Sequence, residues 1–138
     1  MMKKISRQLI ECFQRGNKVL IFGCGGLAAE ASHMAGELIG HMTKERKALP
    51  AICLNVDPSV MTAIANDYGF EMIFSRQIEA LGQKGDIVIG MSTSGKSSSI
   101  LQGLLMGGVK GLEVIDWPRR GKTTPQIQEW QLRYMHKV

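Results

Sequence analysis

The segment Ser92-Thr93-Ser94-Gly95-Lys96-Ser97 sets four hydroxyls around a glycine. Hydroxyls and backbone N–H groups gathered where a helix begins form a cradle for a phosphate, because every donor can turn toward one anion. A serine-rich helix cap would need fewer of them. The same residues, read from Gly90, also fit G-x-x-x-x-G-K-[ST], the phosphate loop of nucleotide hydrolases. Little chain follows Ser97 to complete a nucleotide-binding core. The nearest acidic strand end, Leu112–Asp116, comes after only one short helix.

A second loop, Gly23-Cys24-Gly25-Gly26, allows the backbone to approach a ligand closely at a helix start. With Ala28 it reads G-x-G-x-x-A, a dinucleotide fingerprint. That fold wants an acidic residue about 20 positions on, whereas the next strand ends near Asp57, well beyond that. On the helix that follows, Leu27, Ala28, Ala31, Met34, Ala35 and Leu38 make a core stripe. Glu30, His33 and Glu37 lie off it. His33 and Glu37 are four apart and so are neighbours. They read either as a surface ion pair or as functional groups, and their place on the helix that starts at the glycine loop favours the second.

Short apolar runs alternate with helical patterns. Helices are expected over 4–15, from Gly26 to Met42, near 58–66, 71–81 and 97–106, and from about Thr124. Strands are expected at Lys18–Phe22, Ala51–Leu54, Asp86–Gly90 and Leu112–Ile115. The strands are continuous apolar runs, which predicts burial on both faces of a parallel sheet with right-handed crossovers. Ligands of such sheets bind beyond the carboxyl ends of the strands. Gly23–Leu27, Asn55–Ser59 and Ser92–Ser97 all fall there and should converge.

The chain has 138 residues, 44% of them apolar, which predicts one domain over 1–138. Seventeen basic against twelve acidic residues give +5, which suits an anionic ligand. Aromatics are only 6% and do not interleave with the basic residues, so no stacking platform for nucleic acid is expected. No apolar run approaches a membrane span, and Met1-Met2-Lys3-Lys4 lacks the features of a secretory leader, so a cytoplasmic protein is expected. Cys12, Cys24 and Cys53 fit neither a disulfide framework nor a zinc finger, and Cys12 and Cys53 read as small buried residues.

Taken in order, these segments resemble the phosphoheptose isomerase branch of the sugar isomerase (SIS) family. The likeness runs from Gly16-Asn17-Lys18-Val19-Leu20 through the glycine loop to His33-x-x-x-Glu37. It continues through Leu49-Pro50-Ala51-Ile52, Asp57-x-Ser59-Val60-x-Thr62-Ala63-Ile64, Asn66-Asp67-Tyr68-Gly69-Phe70 and Phe74-Ser75-Arg76-Gln77. It then takes in Glu79-Ala80-Leu81-Gly82, Gly85-Asp86, Ser92-Thr93-Ser94-Gly95 and Thr124-Pro125-x-Ile127-Gln128-Glu129, and ends at His136. Cys24 and Leu27 stand where the family has Asn and usually Ser. Lys96 replaces an Asn and Gln131 a common His.

The resemblance implies an α/β three-layer sandwich, SIS-type and flavodoxin-like, with a short parallel sheet flanked by helices. It is trimmed at the first helix and lacks one strand–helix unit between about Gly111 and Leu112. It implies an aldose–ketose isomerase that converts sedoheptulose 7-phosphate to D-glycero-D-manno-heptose 7-phosphate through an enediol, for lipopolysaccharide core or related glycans. Glu37 matches the base and His136 the acid. Ser92, Thr93, Ser94 and Ser97 match the phosphate site. Cys24, Gly25, Gly26, Asp57, Thr124 and Gln128 match other substrate contacts. Some members hold zinc, one ion per active site, at the positions of His33, Glu37, Gln128 and His136. Gln128 and His136 are eight apart, roughly 12 Å along a helix, so one ion takes both only if the side chains lean together or a neighbouring subunit supplies one. A homo-oligomer, tetramer or dimer, is implied, with sites shared between subunits. The alternative is a non-catalytic SIS module that binds a sugar phosphate or a protein partner such as a replication initiator.

Overall fold

A computed structural model describes residues 2–138. The elements run α1 (Met2–Gln14), β1 (Val19–Gly23), α2 (Gly26–Ile39), β2 (Ala51–Cys53), α3 (Pro58–Tyr68), a 3-10 turn (Phe70–Met72), α4 (Ser75–Leu81), β3 (Ile87–Met91), α5 (Ser98–Val109), β4 (Glu113–Asp116) and α6 (Thr124–Met135). All four strands are parallel, in the order β2-β1-β3-β4. Alternate side chains of the central strands serve two cores. Val19, Ile21, Ile87 and Ile89 pack under α1, α2 and α6, with Leu9, Ala31, Met34 and Met135. Leu20, Phe22 and Val88 pack on the opposite face with Phe74, Ile78 and Ile100. The result is the expected three-layer sandwich, with the expected flavodoxin-like strand order.

Three expectations change. The helix expected over 71–81 divides into the 3-10 turn and α4. The edge strands are not buried on both faces: Ile52 of β2 is 36% exposed and Val114 of β4 is 41% exposed, because each lacks a neighbour beyond it. Helix α2 also stops at Ile39, three residues short of the expected Met42. Gly40 makes the last helical N–H bond, to Gly36, and Met42 takes a positive φ of 52°. The Arg46 guanidinium then donates to the carbonyls of Glu37 (2.7 Å) and Leu38 (2.8 Å), satisfying the helix end in place of a further turn.

One buried carboxylate fixes where the central strands begin. Asp86 is 1% exposed. It pairs with the Lys18 ammonium at 2.6 Å and accepts the backbone N–H groups of Lys18 (3.1 Å) and Gln83 (2.9 Å) and the Asn17 amide (3.2 Å). Burial pushes its pKa up, but these bonds outweigh it and hold the carboxyl below its ordinary value.

Helix α5 lies close on the sheet. A Cβ added at Gly107 would stand 2.5 Å from Val88 Cγ2, whereas one at Gly108 would meet nothing nearer than Val114 Cγ2 at 4.0 Å. On its outer side Leu101, Leu105 and Val109, spaced by four, form an exposed apolar stripe. Gly107→Ala should therefore lower stability by about 1–2 kcal/mol through overpacking. Gly108→Ala should raise it by up to about 1 kcal/mol through helix propensity. Urea denaturation of both variants measures the two signs, and equal effects would contradict the close packing of α5.

Candidate active site

Beyond β1 the chain crosses to α2 on one face of the sheet, and beyond β3 it crosses to α5 on the other. The adjacent carboxyl ends of β1 and β3 are thus a topological switch point, the place where ligands of such sheets bind. The three loops expected to converge do so. Cys24 Sγ lies 3.3 Å from Ser99 Oγ, and Ser97 Oγ donates to Cys24 Sγ at 3.6 Å. Asn55, just past β2, accepts from the Gly23 N–H at 3.0 Å and donates to the Gly23 carbonyl at 2.9 Å. A side-chain amide thereby completes the ladder where the strand has ended. Asn55 opens the Asn55–Ser59 loop that the sequence places at a strand end, though nothing there singles out its amide.

Within the Ser92–Ser97 loop, the Ser92 hydroxyl accepts from the Gly95 N–H at 2.9 Å and the Ser94 hydroxyl from the Lys96 N–H at 3.1 Å. These bonds shape the turn that presents Thr93 and Ser97, which are partly buried. Lys96 and Ser94 are exposed. Gly25 takes a positive φ of 61°, and a Cβ on Gly26 would overlap the Gln128 amide. The glycine loop is therefore where α6 reaches the switch point. Thr124 is the exposed first residue of α6. Asp57 caps α3 through Oδ1, accepting from Ser59 N (2.9 Å) and Val60 N (3.0 Å), and borders an open groove with Val56, Val60 and Arg76. Leu27 is buried in the core rather than turned to the loop. Cys12 and Cys53 are buried as expected, and burial raises both thiols above their ordinary pKa.

A second cluster forms farther along α2. His33 Nε2 is 2.9 Å from Glu37 Oε1, and His136 Nε2 is 3.4 Å from the same oxygen. The two imidazoles lie 5.4 Å apart between ring centroids. Since Gln128 meets Gly26 and His136 meets Glu37, α6 runs beside α2 in the same direction. Its C-terminal end delivers an imidazole from nearly a hundred residues away in sequence. Residues 33 and 37 are one turn apart on one helix, so His136 alone had to come from elsewhere.

One donor atom from each of His33, Glu37 and His136 lies within 4.8 Å of the others. A tetrahedral ion with bonds of about 2.0–2.1 Å holds its ligand atoms about 3.3 Å apart, so the cluster has the size and the two-imidazole, one-carboxylate chemistry of a zinc site with an open position. Gln128 stands instead against Gly26, two turns of α6 away from His136.

Glu30 stands on α2 between Gly26 and Glu37, about one turn before His33. Burial pushes its carboxyl up to about 7, against the opposing pull of His33. Between its ordinary value of 4.5 and about 7 the folded chain keeps a proton that the unfolded chain has released. The Glu30 contribution to stability therefore falls as pH rises through that window and is flat above it. Urea denaturation from about pH 5 to about pH 8 should show the advantage of Glu30→Gln over the parent growing up to about pH 7 and then levelling. A difference independent of pH would contradict the shift.

Known proteins share both the sequence and the shape. The SIS domain family profile matches residues 1–116. A phosphoheptose isomerase of Pelobacter propionicus is 49% identical over an alignment of 154 positions that covers all of this chain and 82% of that protein. The alignment is longer than the chain, so the relative carries residues that this chain lacks. Phosphoheptose isomerase 1 of Campylobacter jejuni is 55% identical over 73% of this chain and 54% of its own length. The solved structure of a phosphoheptose isomerase from Neisseria gonorrhoeae superimposes with a TM-score of 0.91 at 31% identity, covering 98% of this chain and 80% of that one. Likeness of this extent in sequence and backbone means that the chain belongs to the SIS domain family, in its phosphoheptose isomerase branch.

Proposed function

We propose that this chain is a sugar-phosphate isomerase that interconverts sedoheptulose 7-phosphate and D-glycero-D-manno-heptose 7-phosphate, with residues 1–138 acting as a single SIS domain. The observation that carries the reading is the meeting of His136 with Glu37 at 3.4 Å, on a helix that begins at the glycine loop of the switch point. A carboxylate and an imidazole side by side are the two groups an aldose–ketose isomerisation requires.

In the reaction the Glu37 carboxylate takes a proton from C1 of the ketose, leaving an enediol across C1 and C2. His136 moves the oxygen-bound proton from one hydroxyl to the other, and Glu37 returns its proton to C2. No redox partner is consumed, since one carbon is oxidised as its neighbour is reduced. His33 holds Glu37 at 2.9 Å and orients the carboxylate. The Ser92, Thr93, Ser94 and Ser97 hydroxyls and the N–H groups ahead of α5 receive the phosphate. Cys24, Gly25, Gly26, Asp57, Thr124 and Gln128 border the sugar. Glu37 stands eleven residues along α2 from Gly26, roughly 16 Å of helix rise.

His33, Glu37 and His136 are the residues that would hold zinc, with Gln128 joining only if its side chain leaves Gly26. The ion when bound would polarise the carbonyl oxygen and stabilise the developing enediolate charge.

Glu37→Gln should lose turnover while sugar-phosphate binding survives, because the amide keeps the shape but cannot take the proton. His136→Ala should do the same and should lower zinc content measured by elemental analysis. Wild-type turnover in both variants would overturn the assignment. Lys96→Asn should leave turnover within about tenfold, a change of roughly 1.4 kcal/mol; a magnesium-dependent ATPase lost on Lys96→Ala would support the nucleotide-loop reading instead.

The exposed stripe Leu101, Leu105 and Val109 and the open edge strands support a homo-oligomer, dimer or tetramer, in which a neighbouring subunit completes each site. Light scattering should show an assembly larger than one chain, and a fully active monomer at low concentration would end that proposal.

A further inference from the structure

The Ser92–Ser97 loop offers neutral donors and one exposed lysine, whereas a sugar phosphate carries close to two negative charges at neutral pH. The geometry points to Arg119 as the cationic anchor of this loop, an inference that rests on the phosphate reading of the loop given above. Arg119 follows β4, the strand next to β3, so its segment leaves the sheet at the same edge as the serine loop. Its Nη1 donates to the Ser92 carbonyl at 3.3 Å. A Cβ built on Gly95 would lie 3.0 Å from Arg119 Cζ and 3.2 Å from each Nη, so the guanidinium is packed against the glycine at the centre of the cradle.

A carboxylate holds it there. Nη1 donates to Asp116 Oδ1 at 3.1 Å and Nη2 to Asp116 Oδ2, a forked pair between residues three apart. The Arg119 side chain is 30% exposed and Asp116 49%. Three of the five N–H groups of a guanidinium are thus engaged, and two remain to donate to an incoming oxyanion. Asp116 alone would repel that anion. With Arg119 against the loop, the cation meets the phosphate first and the carboxylate acts as the positioning residue. The planar fork is the group best matched to phosphate oxygens. The sequence shows only a basic pair, Arg119-Arg120, after a Pro; nothing in its spacing ties the first of the two to the serine loop.

The test compares Arg119→Gln, Arg119→Lys and the double variant Ser94→Ala with Ser97→Ala in the full chain, with Arg120→Gln as a neighbouring charge control. The readouts are inhibition by inorganic phosphate, KM and kcat for sedoheptulose 7-phosphate, and kcat/KM for unphosphorylated sedoheptulose. Arg119→Gln should weaken phosphate inhibition and raise KM by about tenfold or more, as expected for loss of a charge-assisted fork. It should leave kcat and the reaction of the unphosphorylated sugar within about threefold, and Arg119→Lys should recover part of the loss. Arg120→Gln should behave as the parent. If Arg119→Gln leaves phosphate inhibition unchanged while the double serine variant weakens it, the loop binds phosphate without Arg119 and the inference falls alone. If neither variant weakens it, the phosphate reading of the loop falls as well. An equal loss on phosphorylated and unphosphorylated sugar would reduce Arg119 to a brace for the loop and overturn the inference. Should the Gln variant not fold, Arg119→Lys decides: unchanged phosphate inhibition overturns the fork, since an ammonium cannot reproduce it.

Discussion

The buried carboxylate of Asp86 sets the starting line of the sheet. By accepting the Lys18 N–H and pairing with the Lys18 ammonium, it ties the first residue before β1 to the first residue before β3. In a parallel ladder, register at one end dictates register at the other. Val19 opposite Ile87 therefore leads to Gly23 opposite Met91. The glycine loop and the serine loop then leave the sheet side by side, close enough for Cys24 to meet Ser97 and Ser99. A slip of one residue would turn Leu20 and Phe22 out of one core and into the other. The switch point at one end of the sheet thus depends on an ion pair at the opposite end.

The site has two parts, held in different ways. The glycine and serine loops are shaped by tight turns, by a glycine that Gln128 meets, and by serine hydroxyls that accept backbone N–H groups. The His33, Glu37 and His136 cluster is built from side chains on and just beyond two helices. Its geometry depends on how α6 lies on α2 and on the Arg46 guanidinium that finishes α2 just beyond Glu37. Because α6 meets Gly26 through Gln128 and Glu37 through His136, a shift of that helix would disturb both parts.

Charge is distributed along the same lines. The chain carries seventeen basic against twelve acidic residues. Local pairs matter more. Asp86 is held ionised by the donors around it, whereas burial lifts Glu30 to about 7 against the opposing pull of His33. Two carboxylates of one small fold are driven in opposite directions because donors outweigh burial at one and burial prevails at the other.

Much of this was legible in the sequence. The alternation of apolar runs with helical stripes gives the parallel sheet and its layers, because a strand buried on both faces has few ways to spell itself. The loops at the strand ends and the His33–Glu37 turn were equally legible, since helix geometry makes residues four apart neighbours wherever the helix lies. What the sequence could not fix is anything that depends on the relative placement of elements distant in the chain. Periodicity overstated the burial of Ile52 and Val114, because an edge is a property of the sheet and not of the strand. It overran the end of α2, because the group that caps it, Arg46, lies past the end of the helix. Residue spacing alone could not bring His136 to Glu37, hold Gln128 at Gly26, or set Asn55 on Gly23 and Arg119 on Gly95. Local sequence dictates local periodicity; only the packing of α6 on α2, and of β4 beside β3, decides which distant side chains meet.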